Sequence, residues 1–309
     1  MVILWNIVLL VVGFAMLVKG ADWFVEGAAG IASKLKIPQL VIGLTIVAMG
    51  TSAPEAAVSI TAALKDNASI AIGNVVGSNI LNVLMILGIA AIIVSMSIQK
   101  STVKIEIPFM IGITVLLIVM GKTGEQISRL EGVILWVLFL TYLAYLFFLA
   151  RKNKEEDVEE TRSVWKLLVF MVLGGVFVVL GSNFTVDSAT IIARTVGISE
   201  HFIGLTIIAF GTSLPELVTS VTAARKGNAD IAVGNIVGSN IFNILFILGT
   251  TALITPIPYA PAFIIDGIVA VAAGIVLWLA VFKKLELKRG WGIAMLVLYA
   301  AYFVYLVQL

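Results

Sequence analysis

Long apolar stretches separated by short polar segments run through the whole chain. Each stretch is about 20 residues long, which is the length a helix needs to cross the hydrocarbon core of a bilayer. The predicted spans are 2–29, 40–63, 69–96, 104–121, 130–150, 164–192, 202–224, 230–253, 262–282 and 290–308. The pattern therefore predicts an all-α polytopic membrane protein with ten transmembrane helices.

The only strongly charged stretch, RKNKEEDVEETR at 151–162, lies close to the middle of the chain. Such a run of charges is typical of a solvated linker. We interpret residues 1–150 as a first five-helix repeat, 151–163 as a charged cytoplasmic linker and 164–309 as a second five-helix repeat.

The two halves carry the same sequence motif, which we call the α-repeat. Residues 43–88 and 204–249 align without a gap and are identical at 31 of 46 positions, at a constant offset of 161 residues. Because each half has an odd number of predicted spans, the second half must enter the membrane from the opposite side. The sequence therefore predicts two inverted repeats, an architecture that places substrate sites near the membrane midplane.

Composition agrees with a membrane protein and excludes several kinds of site. Of the 309 residues, 61% are hydrophobic and only 12% are charged, whereas a soluble domain has about 25% charged residues. The chain has no Cys and one His, which excludes disulfides, thiolate metal sites and multi-His metal sites. The net charge of +2 gives no indication of a nucleic acid partner; the expected partner is the lipid bilayer.

The distribution of Lys and Arg predicts the orientation in the membrane. With both termini outside, the inner loops and linker hold 15 of these residues and the outer loops hold 4. Loops that stay in the cytoplasm are enriched in Lys and Arg. We therefore expect a multi-pass protein of the cell membrane with its N-terminus and C-terminus outside.

Glu55 and Glu216 each lie inside an apolar span. A carboxylate at this depth costs several kcal/mol and usually faces the interior of the helix bundle. A structural ion pair is disfavoured, because neither span contains a Lys or Arg away from its ends. Two buried carboxylates without basic partners can be neutralised by protons or by cations.

The neighbours of the two carboxylates favour a cation site. A Thr and a Ser precede each Glu by four and three residues, so all three side-chain oxygens share one helical face. These hydroxyl residues are Thr51, Ser52, Thr212 and Ser213. A proline before each Glu frees the carbonyl four residues back, and the freed Gly50 and Gly211 carbonyls are further candidate ligands.

The next span of each half carries a second polar stripe with a spacing of four residues. Its members are Asn74, Ser78 and Asn82 in the first half and Asn235, Ser239 and Asn243 in the second. Such a stripe can line an ion site or form hydrogen bonds between helices. Carboxylate, hydroxyl and amide oxygens without a soft ligand suit Na⁺ or Ca²⁺.

The duplicated motif G-T-S-x-P-E followed by G-N-x-V-G-S-N-I-x-N resembles the α-repeats of the cation/Ca²⁺ antiporter superfamily, in particular its prokaryotic Na⁺/Ca²⁺ exchangers. The resemblance implies a secondary active antiporter that exchanges several Na⁺ for one Ca²⁺ by alternating access, in which the long first and sixth spans slide against the other eight. Many relatives have Asp in one repeat where this chain has Asn243, which leaves the number of bound Na⁺ open. The resemblance also implies no large regulatory domain in the short linker.

The resemblance assigns roles to twelve residues. It implies that Glu55 and Glu216 centre the Ca²⁺ site and that Asn82 and Asn243 line it. It implies hydroxyl ligands of the Na⁺ sites from Thr51, Ser52, Ser78, Thr212, Ser213 and Ser239. The carbonyls of Ala48 and Ala209 complete the implied set.

Other interpretations remain open at this point. Protons can neutralise the same two carboxylates, so H⁺/Ca²⁺ exchange is a close rival, and K⁺ co-transport is a variant. A passive cation channel would use similar ligands without alternating access. An intramembrane enzyme is disfavoured because Glu55 has no His, Cys or Lys nearby. We expect no enzyme activity, no cofactor, Ca²⁺ and Na⁺ as transported ions, and a protein that functions as a monomer.

Overall fold

A computed structural model describes residues 2–65, 67–152, 162–197 and 209–308, and these residues are mostly helical. We number the helices along the chain, and a helix that contains a π-helical turn keeps one label. The helices are α1 Val2–Leu35, α2 Gln39–Thr51, α3 Ala53–Leu64, α4 Ser69–Ile93, α5 Thr102–Gly124, α6 Arg129–Lys152, α7 Val164–Thr195, α8 Ala209–Gly211, α9 Leu214–Arg225, α10 Ala229–Ile254, α11 Ala262–Phe282 and α12 Arg289–Gln308.

Within these described ranges, eight helices are long and apolar enough to cross a membrane, and the bent pair α2–α3 makes up to nine. They correspond to nine of the ten predicted spans. The remaining prediction, 202–224, is represented by α8 and α9, and its residues 202–208 lie outside the described residues. The same is true of most of the predicted linker, because residues 153–161 are not described.

Helices α1 and α7 are the longest, with 34 and 32 residues. At about 1.5 Å per residue, α1 is roughly 50 Å long, well above the ~30 Å hydrocarbon thickness. It ends at Leu35 rather than at residue 29 as predicted, and the chain turns at Lys36, whose φ of 55° is left-handed. The two helices pack directly against each other.

Close backbone contact between α1 and α7 depends on glycine. A Cβ atom on Gly174 would lie 2.4 Å from the backbone nitrogen of Phe24, and one on Gly181 would lie 2.8 Å from the carbonyl oxygen of Gly13. A Cβ atom on Gly20 would lie 2.8 Å from the carbonyl oxygen of Gly174. Small residues at such a crossing allow two transmembrane helices to approach through their backbones.

A break at Ser52 separates α2 from α3 and bends the chain by 50°. The residue has φ −81° and ψ 9°, and Pro54 occupies the first turn of α3, where its missing N–H costs little. The second half repeats this geometry, with Ser213 at φ −91° and ψ 4° and Pro215 in the first turn of α9. A proline at this position cannot make the hydrogen bond that would continue the preceding helix, which accounts for the bend.

Four two-residue strands, which the sequence pattern did not predict, join the ends of the helices. They are β1 Met96–Ser97, β2 Gln126–Ile127, β3 Ile257–Pro258 and β4 Glu286–Leu287. β1 pairs with β4 and β2 pairs with β3, both antiparallel. The two pairs lie at opposite ends of α5, and β1 shortens the predicted span 69–96, so that α4 ends at Ile93.

The core of the molecule lies around α4 and α10. Almost all of the most apolar part of α10 is buried, with 94% of that segment inside the protein. Gly234 and Gly238 allow this burial, since a Cβ atom on Gly238 would lie 2.7 Å from the Cα atom of Leu44 on α2. The polar residues of α10 are therefore held against the bend of the first half, far from lipid.

Candidate cation-binding site

Glu55 and Glu216 lie in the first turns of α3 and α9, and both are buried, with 1% and 0% exposure. The positive end of a helix dipole stabilises a carboxylate at this position. Each carboxylate is held by a serine of the other half. Ser213 Oγ donates to Glu55 Oε1 at 3.2 Å, and Ser52 Oγ donates to Glu216 Oε1 at 2.8 Å. The crossed bonds bring the two acids into one cluster.

The serines of α4 and α10 join the same cluster. Ser78 Oγ lies 3.4 Å from Glu55 Oε1, and Ser239 Oγ lies 3.5 Å from Glu216 Oε1. Ser239 Oγ also lies 3.3 Å from the carbonyl oxygen of Ala48. The structure therefore places these four residues and this backbone carbonyl together, and their role as ion ligands stays a prediction.

The amide groups of Asn82 and Asn243 are oriented by two further asparagines. Asn82 Nδ2 donates to Asn240 Oδ1 at 2.9 Å, and Asn243 Nδ2 donates to Asn79 Oδ1 at 3.1 Å. Asn79 and Asn240 in turn donate to each other's backbone carbonyls at 3.2 and 3.1 Å. The nitrogens of the central amides are thus engaged, and their carbonyl oxygens remain as buried acceptors.

Four buried acceptor oxygens of this cluster have no hydrogen-bond partner among the described residues. They are Glu55 Oε2, Glu216 Oε2, Asn82 Oδ1 and Asn243 Oδ1. A buried acceptor without a donor costs about 1–3 kcal/mol, and more when it is charged. Acceptors without donors, two of them on carboxyl groups, form the environment that a hard cation stabilises.

Thr51 and the outer asparagines, Asn74 and Asn235, are joined to neighbouring helices by hydrogen bonds. Thr51 Oγ1 donates to Asn235 Oδ1 at 2.9 Å. Asn235 Nδ2 donates to Ser220 Oγ at 2.9 Å, and Asn74 Nδ2 donates to Ser59 Oγ at 3.0 Å. Asn74 and Asn235 of the polar stripes thus form hydrogen bonds between helices, which is one of the two roles that the sequence left open.

The second half differs from the first at two predicted positions, and a third, Ala209, lies at the edge of the described residues. Thr212 is only half-buried and borders a cavity of about 410 Å³ that Asp187 also lines. The Gly211 carbonyl, a candidate ligand in the sequence, accepts a hydrogen bond from Ser182 Oγ at 2.8 Å. Ala209 is the first residue of α8, and its neighbours 202–208 lie outside the described residues.

Asn79 and Asn240 were missed by the sequence reasoning. Both lie in the duplicated G-S-N-I motif, three residues before Asn82 and Asn243, and this spacing puts them on nearly the same helical face. The signal was therefore present, but only the packing of α4 against α10 shows that the two asparagines meet.

Replacing Asn240 with Ala is expected to weaken Ca²⁺ affinity about 10–100-fold, because groups that orient ligands typically have effects of this size. The substitution removes the acceptor that holds the Asn82 amide. The apparent affinity for ⁴⁵Ca²⁺ uptake into vesicles measures the effect, with Asn67→Ala in an exposed loop as control. An affinity equal to that of the control would show that the orientation of Asn82 does not matter.

The geometry can be compared with known proteins. A family model described as sodium/calcium exchanger protein matches residues 5–148 and 166–308. The chain belongs to the sodium/calcium exchanger family. This confirms the resemblance found in the sequence motif.

Similar proteins cover nearly the full length of the chain. It is 39% identical over 292 residues to the putative antiporter CaxA of Alkalimonas amylolytica, covering 91% of each chain. It is 34% identical over 343 residues to the sodium/calcium exchanger MaX1 of Methanosarcina acetivorans, covering 97% of this chain and 98% of that one. A solved structure of the sodium-calcium exchanger NCX_Mj superposes with a TM-score of 0.87 at 33% identity, covering 99% of this chain and 100% of that one.

Proposed function

We propose that this exchanger-family protein is an antiporter that moves several Na⁺ against one Ca²⁺ through the cluster around Glu55 and Glu216. The observation that carries the proposal is the set of four buried acceptor oxygens without hydrogen-bond donors. Two of them belong to carboxylates, so the pocket holds two formal negative charges that match one Ca²⁺. The name of the relative MaX1, a sodium/calcium exchanger, supports the same assignment.

The ligand chemistry favours Na⁺ and Ca²⁺ over transition metals. Within the described ranges, no group of three or more His, Cys, Asp or Glu is placed to hold a metal. The oxygens available instead come from carboxylates, amides, hydroxyls and backbone, which suit hard cations. We assign Glu55, Glu216, Asn82 and Asn243 to the Ca²⁺ site. We assign the Na⁺ sites to Thr51, Ser52, Ser78, Thr212, Ser213 and Ser239, with the Ala48 and Ala209 carbonyls.

Ten spans in two inverted five-helix repeats remain our proposal for the architecture. Strand pairing supports it. The offset of 161 residues relates β1 to β3, yet β1 pairs with β4 at one end of α5, whereas β3 pairs with β2 at the other. Corresponding connections of the two halves thus lie at opposite ends of the bundle, as inverted repeats require.

Alternating access is proposed to use the different packing of the two halves. Asn235 is fully buried, with its helix covered by α2, whereas its counterpart Asn74 is half-buried. Symmetric repeats packed asymmetrically can exchange their arrangements, which exposes a central site to one side and then to the other. The long helices α1 and α7 touch through glycine backbones, so they are suited to slide as a pair against the rest.

We further propose a monomer in the cell membrane with both termini outside, surrounded by lipid, without a cofactor and without enzyme activity. The excess of Lys and Arg on the side of the linker, 15 against 4 for the proposed topology, supports this orientation.

The Na⁺ gradient and the membrane potential supply a driving force that is sufficient for coupled transport. A tenfold Na⁺ gradient supplies about 1.4 kcal/mol per ion, and 100 mV adds about 2.3 kcal/mol per net charge moved.

The test is ⁴⁵Ca²⁺ uptake into vesicles that contain the purified protein, with Na⁺, K⁺ or H⁺ gradients imposed one at a time. We expect uptake that depends on an outward Na⁺ gradient. Uptake driven by a pH gradient alone would establish H⁺/Ca²⁺ exchange instead, and dependence on K⁺ would establish co-transport. Single-channel currents in a planar bilayer would identify a passive channel.

A further inference from the structure

Asp266 is a carboxylate in the apolar helix α11 that takes no part in the central cluster. The Tyr302 hydroxyl of α12 donates to Asp266 Oδ1 at 2.8 Å. This bond engages Oδ1 rather than Oδ2, and the residue is half-buried. An acidic side chain in a membrane span costs free energy unless a cation, a proton or a polar environment stabilises it.

The pair Asp266–Tyr302 lines a cavity that reaches the central cluster. The cavity has a volume of about 260 Å³, and its wall also includes Asn74, Ser78 and Tyr299. Ser78 is the residue whose hydroxyl lies 3.4 Å from Glu55 Oε1. A cation in this cavity would therefore meet a wall that contains both Asp266 and Ser78, a residue of the central cluster.

The other half carries a similar pair on the corresponding helices. Tyr145 of α6 donates to Glu106 of α5. The offset of 161 residues relates α5 to α11 and α6 to α12. At this offset, Glu106 corresponds to the residue directly after Asp266. Glu106 is fully buried at 0% exposure, and its Oε2 has no partner among the described residues. One pair thus borders a cavity, whereas the other is enclosed.

We propose that Asp266 and Tyr302 form an accessory binding site for a hard cation, Ca²⁺ or Na⁺, in the cavity that leads to Ser78. Asp266 Oδ2 supplies the negative charge, and Tyr302 fixes the orientation of the carboxylate through Oδ1. The proposal rests on the proposed cation transport, because it makes this site a station on the path of the ion. In the proposed topology the start of α11 lies on the outer side, so the site serves the outer face.

Terbium binding tests the site independently of transport. Tb³⁺ substitutes for Ca²⁺ and emits when nearby tyrosines are excited. In the double variant Glu55→Gln/Glu216→Gln, we expect saturable emission to persist. Adding Asp266→Asn is expected to weaken this binding about tenfold, because the charge of the ligands sets the affinity of such sites. Asp230→Asn is the matched control, because Asp230 is not part of the cavity wall. Equal Tb³⁺ affinity in the Asp266 and Asp230 variants would overturn the proposal.

A second measurement does not need the double variant, so it still tests the site if that variant fails to fold. With both carboxylates of the central site intact, Asp266→Asn is expected to raise the KM for ⁴⁵Ca²⁺ presented at the outer face several-fold, with the maximal rate unchanged. Tyr302→Phe should act in the same direction. A loss of affinity that is equal at both faces would indicate a purely structural role and contradict the site. If the unaltered protein shows no Na⁺-dependent uptake, the transport proposal fails, while the Tb³⁺ titration still decides the accessory site.

Discussion

Replacing Glu55 or Glu216 with Gln is expected to lower Na⁺-dependent ⁴⁵Ca²⁺ uptake at least ~100-fold, because the charge of the ligands sets the affinity for Ca²⁺. Each substitution leaves one carboxylate for a divalent ion. It also brings an N–H₂ donor into a cluster where Ser52 and Ser213 already donate to the acids. A bound Ca²⁺ would then be balanced by one negative charge instead of two.

The matched control for this prediction is Glu125→Gln. Glu125 is exposed in the turn after α5 and lies outside the central cluster, so the same chemical change should leave uptake unaltered. Isothermal titration with Ca²⁺ separates binding from transport in the purified variants. Wild-type Ca²⁺ affinity in either of the two buried variants would remove the central site from its proposed role.

The second large effect is expected at the crossing of α1 and α7. Gly174→Ala should destabilise the protein by about 3 kcal/mol or more, at or above the upper end of the cost of overpacking. The added methyl group would lie 2.4 Å from the backbone nitrogen of Phe24, and no side-chain rotation can relieve a contact with backbone. The two long helices would have to separate along their whole contact.

The adjacent residue gives a close control. A Cβ atom on Gly175 would meet only the Phe24 ring, at 3.7 Å, which is an ordinary contact. Gly175→Ala should therefore be neutral or stabilise the helix by up to about 1 kcal/mol through its better helix propensity. Thermal unfolding of both variants in detergent, followed by tryptophan fluorescence, compares them directly. Equal melting temperatures would show that the crossing is not as close as the structure has it.

The two carboxylates could be predicted from the sequence because an acid in an apolar span is rare, and because the repeat shows it twice. The residues that orient the site could not be separated from packing residues in this way. Asn79 and Asn240 lie on helices with polar stripes, and a stripe does not specify which of its members meets the other helix. Only the contact of α4 with α10 distinguishes the proposed ligands from the residues that hold them.

Prediction from the repeat was also limited where a residue has a hydrogen-bond partner in one half but not in the other. The sequence predicts the Gly211 carbonyl as a candidate ligand but does not predict that it also accepts a hydrogen bond from Ser182 of α7. The corresponding position on α1 is Ala21, which has no hydroxyl, so the identical motif around Gly50 has a different neighbour. The short strands were missed for a related reason. Two residues are too few for a periodic pattern, and each strand pairs with a partner more than 100 residues away.

The neutral amides of Asn82 and Asn243 have an electrical consequence. A pocket with two negative charges becomes uncharged when it holds one divalent ion, so membrane voltage exerts no net force on that loaded form. Any load of more than two monovalent ions leaves a surplus positive charge, and the field then acts on the return step. In the proposed antiport, the voltage sensitivity of the cycle would thus be confined to the steps that carry Na⁺.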